Sequence, residues 1–136
     1  MQIRIASVKV LDQEHALAFY TDKLGFVKHA DMPVGAGYRW LTVTSPEGAQ
    51  GVELALEPTG FEPAKVYQKA LFDAGVPATA FLTADIEAEY ARLKGKGVVF
   101  RSPPVAMGPI TGAMFDDTCG NLIHLVQPTA PTGGKP

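Results

Sequence analysis

The feature that most restricts the fold of this chain is an order of signals that occurs twice. Residues 3–10, Ile-Arg-Ile-Ala-Ser-Val-Lys-Val, alternate loosely between apolar and polar side chains and stop at Asp12, a good helix N-cap. From Asp12 to Leu24 the residues Leu17, Tyr20 and Leu24 fall on one helical face, widened by Ala16 and Phe19, and Gly25 supplies the stop. Two β-rich runs follow, Tyr38 to Thr44 and Gly51 to Glu57, reversed by a segment holding Pro46 and Gly48. The second half repeats this order, with a strand from Ala78 to Thr83, Asp85 as N-cap, and a helix carrying Ile86, Tyr90 and Leu93 that Gly95 and Gly97 end. Val98 to Arg101 then leads to a hairpin whose arms, Gly112 to Asp116 and Asn121 to Gln127, flank Asp117-Thr-Cys-Gly-Asn.

Between the halves, Glu62 to Ala74 puts Ala64, Tyr67, Leu71 and Ala74 on one face, with Pro63 in the first turn and Gly75 past the end. The whole pattern predicts an α+β chain of two βαβββ modules, about 1–58 and 77–128. A linker helix over about 62–75 joins them, and 129–136 is expected to be a flexible tail. A short module cannot bury both faces of its own sheet, so two must pair, within a chain or between chains. Pairing creates a concave surface, over which the linker helix is expected to pack.

Of the 136 residues 46% are hydrophobic and 19% charged, which suits one globular domain with a core and excludes a disordered chain. Twelve Lys+Arg against 14 Asp+Glu leave no basic surplus, so nucleic acid is not an expected partner. No apolar run approaches the roughly 20 residues that cross a bilayer, and the opening Met-Gln-Ile-Arg-Ile lacks the core of a secretory signal. A cytoplasmic protein with no membrane partner is expected. The single cysteine, Cys119, has no internal disulfide partner and no cationic neighbour to activate it, and reads as a turn residue. Gly35-Ala-Gly37 lacks the spacing of a dinucleotide loop and reads as turn glycines.

Three groups of residues carry a family resemblance: Phe19-Tyr with Leu24-Gly-Phe, Asp85-Ile-Glu with Leu93 and Gly97, and Phe115-Asp-Asp-Thr-Cys-Gly-Asn-Leu-Ile-His-Leu. Over residues 3–127 the chain resembles the vicinal oxygen chelate superfamily of glyoxalases, extradiol dioxygenases, fosfomycin-resistance enzymes and bleomycin-resistance binding proteins. Its last motif is similar to the family hairpin Asp-Pro-Asp-Gly-Asn, with Thr118 and Cys119 where Pro and Asp usually stand. The resemblance implies two modules curling into a cup-shaped mixed sheet with helices outside, assembled as a homodimer. It also implies a divalent metal on the cup floor, and the ligand positions fall on Ile5, Glu53, Ala78 and His124. Ile5 and Ala78 offer only hydrocarbon, whereas a catalytic site usually keeps three protein ligands and an open position. No metal and no cofactor are therefore expected, with Glu53 and His124 as remnant positions.

Strand alternation puts Glu53, Ala55 and Glu57 on one face and Val52, Leu54 and Leu56 on the other. Pairing Thr44 with Gly51 would set Thr42 opposite Glu53 and Trp40 opposite Ala55, while the second hairpin would set Met114 opposite His124. The candidate ligand-binding residues are Tyr38, Trp40, Thr42, Glu53 and Ala55 from the first module, and Ala78, Ala80, Met107, Met114 and His124 from the second. Bland roles exist for each: Trp40 and Tyr38 as packing aromatics, Glu53 as a solvated carboxylate, His124 as a satisfied histidine, the methionines as gap-fillers. No catalytic residue is assigned. The expected function is non-catalytic binding that sequesters an aromatic or polycyclic, antibiotic-like compound, in drug resistance or self-protection. The alternative is a metal-dependent glyoxalase- or dioxygenase-like enzyme with an altered metal site.

Overall fold

Asp12 opens the first helix as its spacing predicts, its carboxylate accepting the His15 N–H at 2.8 Å. In the computed structural model, which describes residues 1–129, that cap joins β1 (Ile5–Val10) to α1 (Gln13–Ala18). One π-helical turn, Phe19–Lys23, extends α1 and places both Phe19 and Tyr20 in the interior. Gly25 then reverses the chain at φ +85°, a conformation that costs a glycine little. Three strands complete the half: β2 (Val27–Gly35), β3 (Tyr38–Thr44) and β4 (Glu53–Pro58). Their order is β1-β4-β3-β2, with β1 parallel to β4 and the other pairs antiparallel.

After α2 (Glu62–Ala74) the arrangement recurs. β5 (Thr79–Leu82) leads to α3 (Ile86–Gly95), which Asp85 caps through the Ala88 N–H at 3.1 Å. β6 (Val105–Met107), β7 (Ile110–Asp116) and β8 (Leu122–Pro128) follow, in the equivalent order β5-β8-β7-β6. The chain is thus α+β, with two mixed four-stranded sheets and three α-helices among the described residues. Beyond residue 129 the expected tail lies outside the described residues; Thr129 itself donates its N–H to the Pro109 carbonyl at 2.8 Å.

Alternation along the strands directs one face of each sheet into a single shared core. Val8, Val10, Leu41, Val43 and Leu56 come from the first sheet, and Ala113, Phe115, Ile123 and Leu125 from the second. Phe19, Tyr20, Ile86 and Leu93 fill the space between them from the helices. Aromatic contacts cross the seam, with ring centroids 6.3 Å apart for Phe19 and Phe115 and 5.4 Å for Phe26 and Phe81. The opposite face of each sheet therefore points away from the core.

A buried polar knot joins the halves. The Asp117 carboxylate accepts the Tyr20 hydroxyl at 2.6 Å, the N–H groups of Cys119 and Asn121, and the Asn121 amide. Burial raises the Asp117 carboxyl above the usual carboxylate range against the pull of these donors, and raises the Tyr20 hydroxyl as well. Gln68 of α2 extends the knot, donating to the carbonyls of Lys9 and Cys119 and to Asn121 Oδ1.

Gln68 overturns the expected face of α2. Tyr67 is 65% exposed and Ala74 is also exposed, while Gln68, at 6%, points inward with Ala64 and Leu71 partly buried beside it. The apolar stripe of the helix runs through Val66, Tyr67 and Ala74, which stay exposed, and the cluster of acceptors at the junction turns Gln68 inward instead. Through Gln68, α2 packs on the end of β1 and the β7–β8 turn, not over the predicted ligand face.

The first hairpin also departs from expectation. Thr42 pairs with Ala55 and Val43 with Leu54, a register two residues away from the one that set Thr42 opposite Glu53 and Trp40 opposite Ala55. The reason is the connection: Gly51 sits in the loop at φ +80° and β4 begins only at Glu53. A shift of two keeps every side chain on its face. In the second hairpin Met114 does lie opposite His124.

Candidate functional site

The candidate residues divide into two groups, one on the outward face of each sheet. On the first sheet, Ile5 pairs with Glu53, Ser7 with Ala55, and Ala55 in turn with Thr42. Trp40, partly buried, pairs across β2–β3 with Met32, and Thr42 with Ala30. These partners share a face by the strand period. Thr42 and Ala55 are fully buried at its floor, while Ile5 and Met32 are about half exposed at its margin, at 49% and 55%. Tyr38 leaves this row at one end: its ring and hydroxyl pack against Gly60, where no Cβ would fit.

The polar centre of the first group is a short relay. The Ala30 N–H donates to Thr42 Oγ1 at 3.1 Å, and the Thr42 hydroxyl donates to Glu53 Oε1 at 2.7 Å. His29 Nε2 lies 4.0 Å from the same carboxylate oxygen. Sequence reasoning assigned no binding role to His29 or Met32 and found no strand over β2, whose run Val-Lys-His-Ala-Asp-Met-Pro-Val-Gly contains no clean alternation.

On the second sheet His124 pairs with Ala80 on one side and Met114 on the other. The His124 ring and the Met107 methyl meet above Gly112. Ala78 and Ala80 are exposed, with the Ala78 N–H held by the Leu122 carbonyl at 2.8 Å. Among the described residues no hydrogen bond or ion pair links the second group to the first. Each group is on the side of its sheet opposite the shared core.

That separation decides what a metal would find. Glu53 and His124 sit on different sheets, Ile5 and Ala78 have no donor atoms, and no three His, Cys, Asp or Glu side chains converge among the described residues. The donor set of one chain does not fit the family's metal. Cys119 is buried, and burial together with the nearby Asp117 carboxylate pushes its thiol well above the usual range, away from nucleophilic chemistry. No helix among the described residues is long and apolar enough to cross a membrane.

A cavity of about 460 Å³ lies elsewhere, between α2 and the β7–β8 turn, lined by Leu11, Gln68, Phe72, Thr118 and Gly120 among others. It contains none of the candidate ligand residues. Ile5, Met32, Ala78 and Ala80 leave the outward sheet faces open at their margins in a single chain.

Comparison with known proteins agrees with this architecture. YurT of Bacillus subtilis (strain 168), an uncharacterised protein, is 54% identical over 127 residues, spanning 93% of this chain and 99% of its own. The crystal structure of UcmS2 matches with a TM-score of 0.78 and 33% identity, covering 93% of this chain and 97% of that one. TnmS3, an antibiotic binding protein from Streptomyces sp. CB03234, matches with a TM-score of 0.73 and 34% identity, covering 95% and 97%. The family description Glyoxalase/Bleomycin resistance protein/Dioxygenase superfamily fits residues 3–125, nearly all of the repeated architecture, and the chain belongs to that superfamily.

Proposed function

We propose that this protein binds an aromatic or polycyclic, antibiotic-like molecule and sequesters it unchanged, in a cleft that a second copy of the chain completes. The observation that carries this reading is Trp40. The only tryptophan of the chain lies partly buried on the outward face of the first sheet, with Met32 across the strand pair and the Thr42–Glu53 hydrogen bond beside it. A flat indole, an adaptable thioether and a few fixed polar atoms are the composition of a site for flat apolar ligands. The likeness to an antibiotic binding protein supports the ligand class. Ile5 and Ala78, without donor atoms, support binding in place of metal chemistry.

The second copy is argued from exposure. Val34, Leu82 and Val105 are 63%, 68% and 50% exposed, and with Ile5, Met32 and Met107 they leave apolar surface on both sheets. Pairing the first module of one chain with the second of another would cover this surface and bring the two residue groups together.

Titration of the full chain with aromatic polyketide antibiotics, followed by calorimetry, tests the reading alongside sedimentation of the free protein. Trp40→Ala is expected to weaken binding by roughly tenfold or more, and to remove protection of cells expressing the protein. Unchanged affinity and unchanged protection would overturn the proposal. So would about one equivalent of transition metal per subunit in protein purified without chelator, which would favour the metal-dependent enzyme instead.

A further inference from the structure

We infer that the outward face of the first sheet selects aromatic ligands carrying a hydroxyl group, and that His29 with Glu53 forms the anchor that receives it. The inference rests on the cleft reading above and goes beyond it in naming the group recognised.

A β-bulge builds the anchor. Lys28 pairs with Val43 and Ala30 with Thr42, so His29 is the extra residue of β2 with no partner on β3. Bulges of this kind re-aim a side chain and leave backbone groups to be satisfied locally. Here the Ala30 N–H beside the bulge is taken by Thr42 Oγ1, which in turn commits its single proton to Glu53 Oε1. Thr42 is fully buried and has no second proton to offer, so it fixes the carboxylate and does not itself donate to a ligand. Glu53 retains acceptor capacity, because Oε2 has no hydrogen-bond partner among the described residues.

The spacing of His29 and Glu53 then sets the chemistry of the guest. At 4.0 Å, Nε2 and Oε1 are too far apart to bond directly and close enough for one atom to bridge them. A hydroxyl oxygen fits, because it can accept from the imidazole N–H and donate to the carboxylate at once. With the proton on Nε2, an ammonium group has no lone pair for the imidazole N–H, and an ether oxygen has no proton for the carboxylate. Thr42 and Trp40 are two residues apart on β3, which places the anchor about 7 Å along the strand from the indole. That distance suits a fused-ring ligand with its hydroxyl at the end of its long axis.

Isothermal titration of the full chain with 2-naphthol and 2-methoxynaphthalene isolates the hydroxyl proton on a constant ring. The wild-type protein is expected to prefer 2-naphthol by roughly tenfold. His29→Leu and Glu53→Gln are each expected to bring that preference to within about twofold. The ratio within each protein is independent of any loss of folded fraction. Equal binding of both compounds by the wild type, or a preference that survives both substitutions, overturns the anchor and leaves the cleft intact. Binding of neither compound overturns the cleft reading and the anchor with it.

Discussion

The His124 imidazole rests on the backbone of Gly112, so closely that a methyl group at that glycine would collide with Nε2 and with the Met107 methyl. Gly112 has no left-handed backbone angle, so alanine is conformationally acceptable there and only the contact opposes it. Gly112→Ala is expected to cost about 1–3 kcal/mol through overpacking, or to displace the imidazole from the sheet face. Urea denaturation reads the first outcome and the His124 ring proton shifts read the second. A variant unchanged in both would show that the glycine does not seat the histidine.

Gln68 gives a second prediction, because its amide nitrogen faces three acceptors, at 2.8 Å from the Lys9 carbonyl, 3.3 Å from that of Cys119 and 3.1 Å from Asn121 Oδ1. Gln68→Glu puts an acceptor where the donor stood, in a buried position. A loss of about 2–4 kcal/mol at neutral pH is expected, with partial recovery in acid as the new carboxyl gains a proton that it can donate. Gln68→Met removes the donor without adding charge and should cost less. Equal stability of the two variants would count against the acceptor cluster as the reason α2 turns this residue inward.

A third prediction concerns acid. Arg39 donates two hydrogen bonds to Asp31, at 2.9 and 2.8 Å, and these bonds, aided by Lys28, hold the Asp31 carboxyl down at about 2. Its folded value lies below its unfolded one, so the pair's contribution is present above the ordinary carboxylate range and is lost as pH falls toward 2. The pair is solvent-accessible, so the effect is small. Melting temperatures measured between pH 2 and 5 should fall less steeply for Asp31→Asn than for the wild type, and parallel curves would contradict the assignment.

How much of this could be read from sequence depends on which residues signal their place locally. Asp12 and Asp85 did so because a capping side chain bonds within three residues, and the bounds of α2 did so through Pro63 and Gly75. β2 did not. Its bulge at His29 breaks the period of two, Pro33 interrupts the run, and the strand lies at the sheet edge with most side chains exposed. The three-residue β6, at the corresponding edge, is too short to show a period. The inward turn of Gln68 depends on acceptors more than 50 residues away, and hydropathy alone assigns a glutamine to the outside. The candidate faces survived a wrong register because the error was an even number of residues, whereas the separation of the two groups onto different sheets comes from packing between halves, which strand patterns within each half do not encode.

The sharing of one core by both halves also bears on how such a chain can change over generations. The shared core lies on the helix side of the sheets, and the knot around Asp117 lies at the junction of the halves. Ile5, Ser7, Ala80 and Leu82 lie on the other side and are exposed. Mutations there leave the interior packing untouched, so they cost little folding stability and are free to be tried. A side chain on that face can be replaced, and one ligand exchanged for another, with the scaffold indifferent to the outcome.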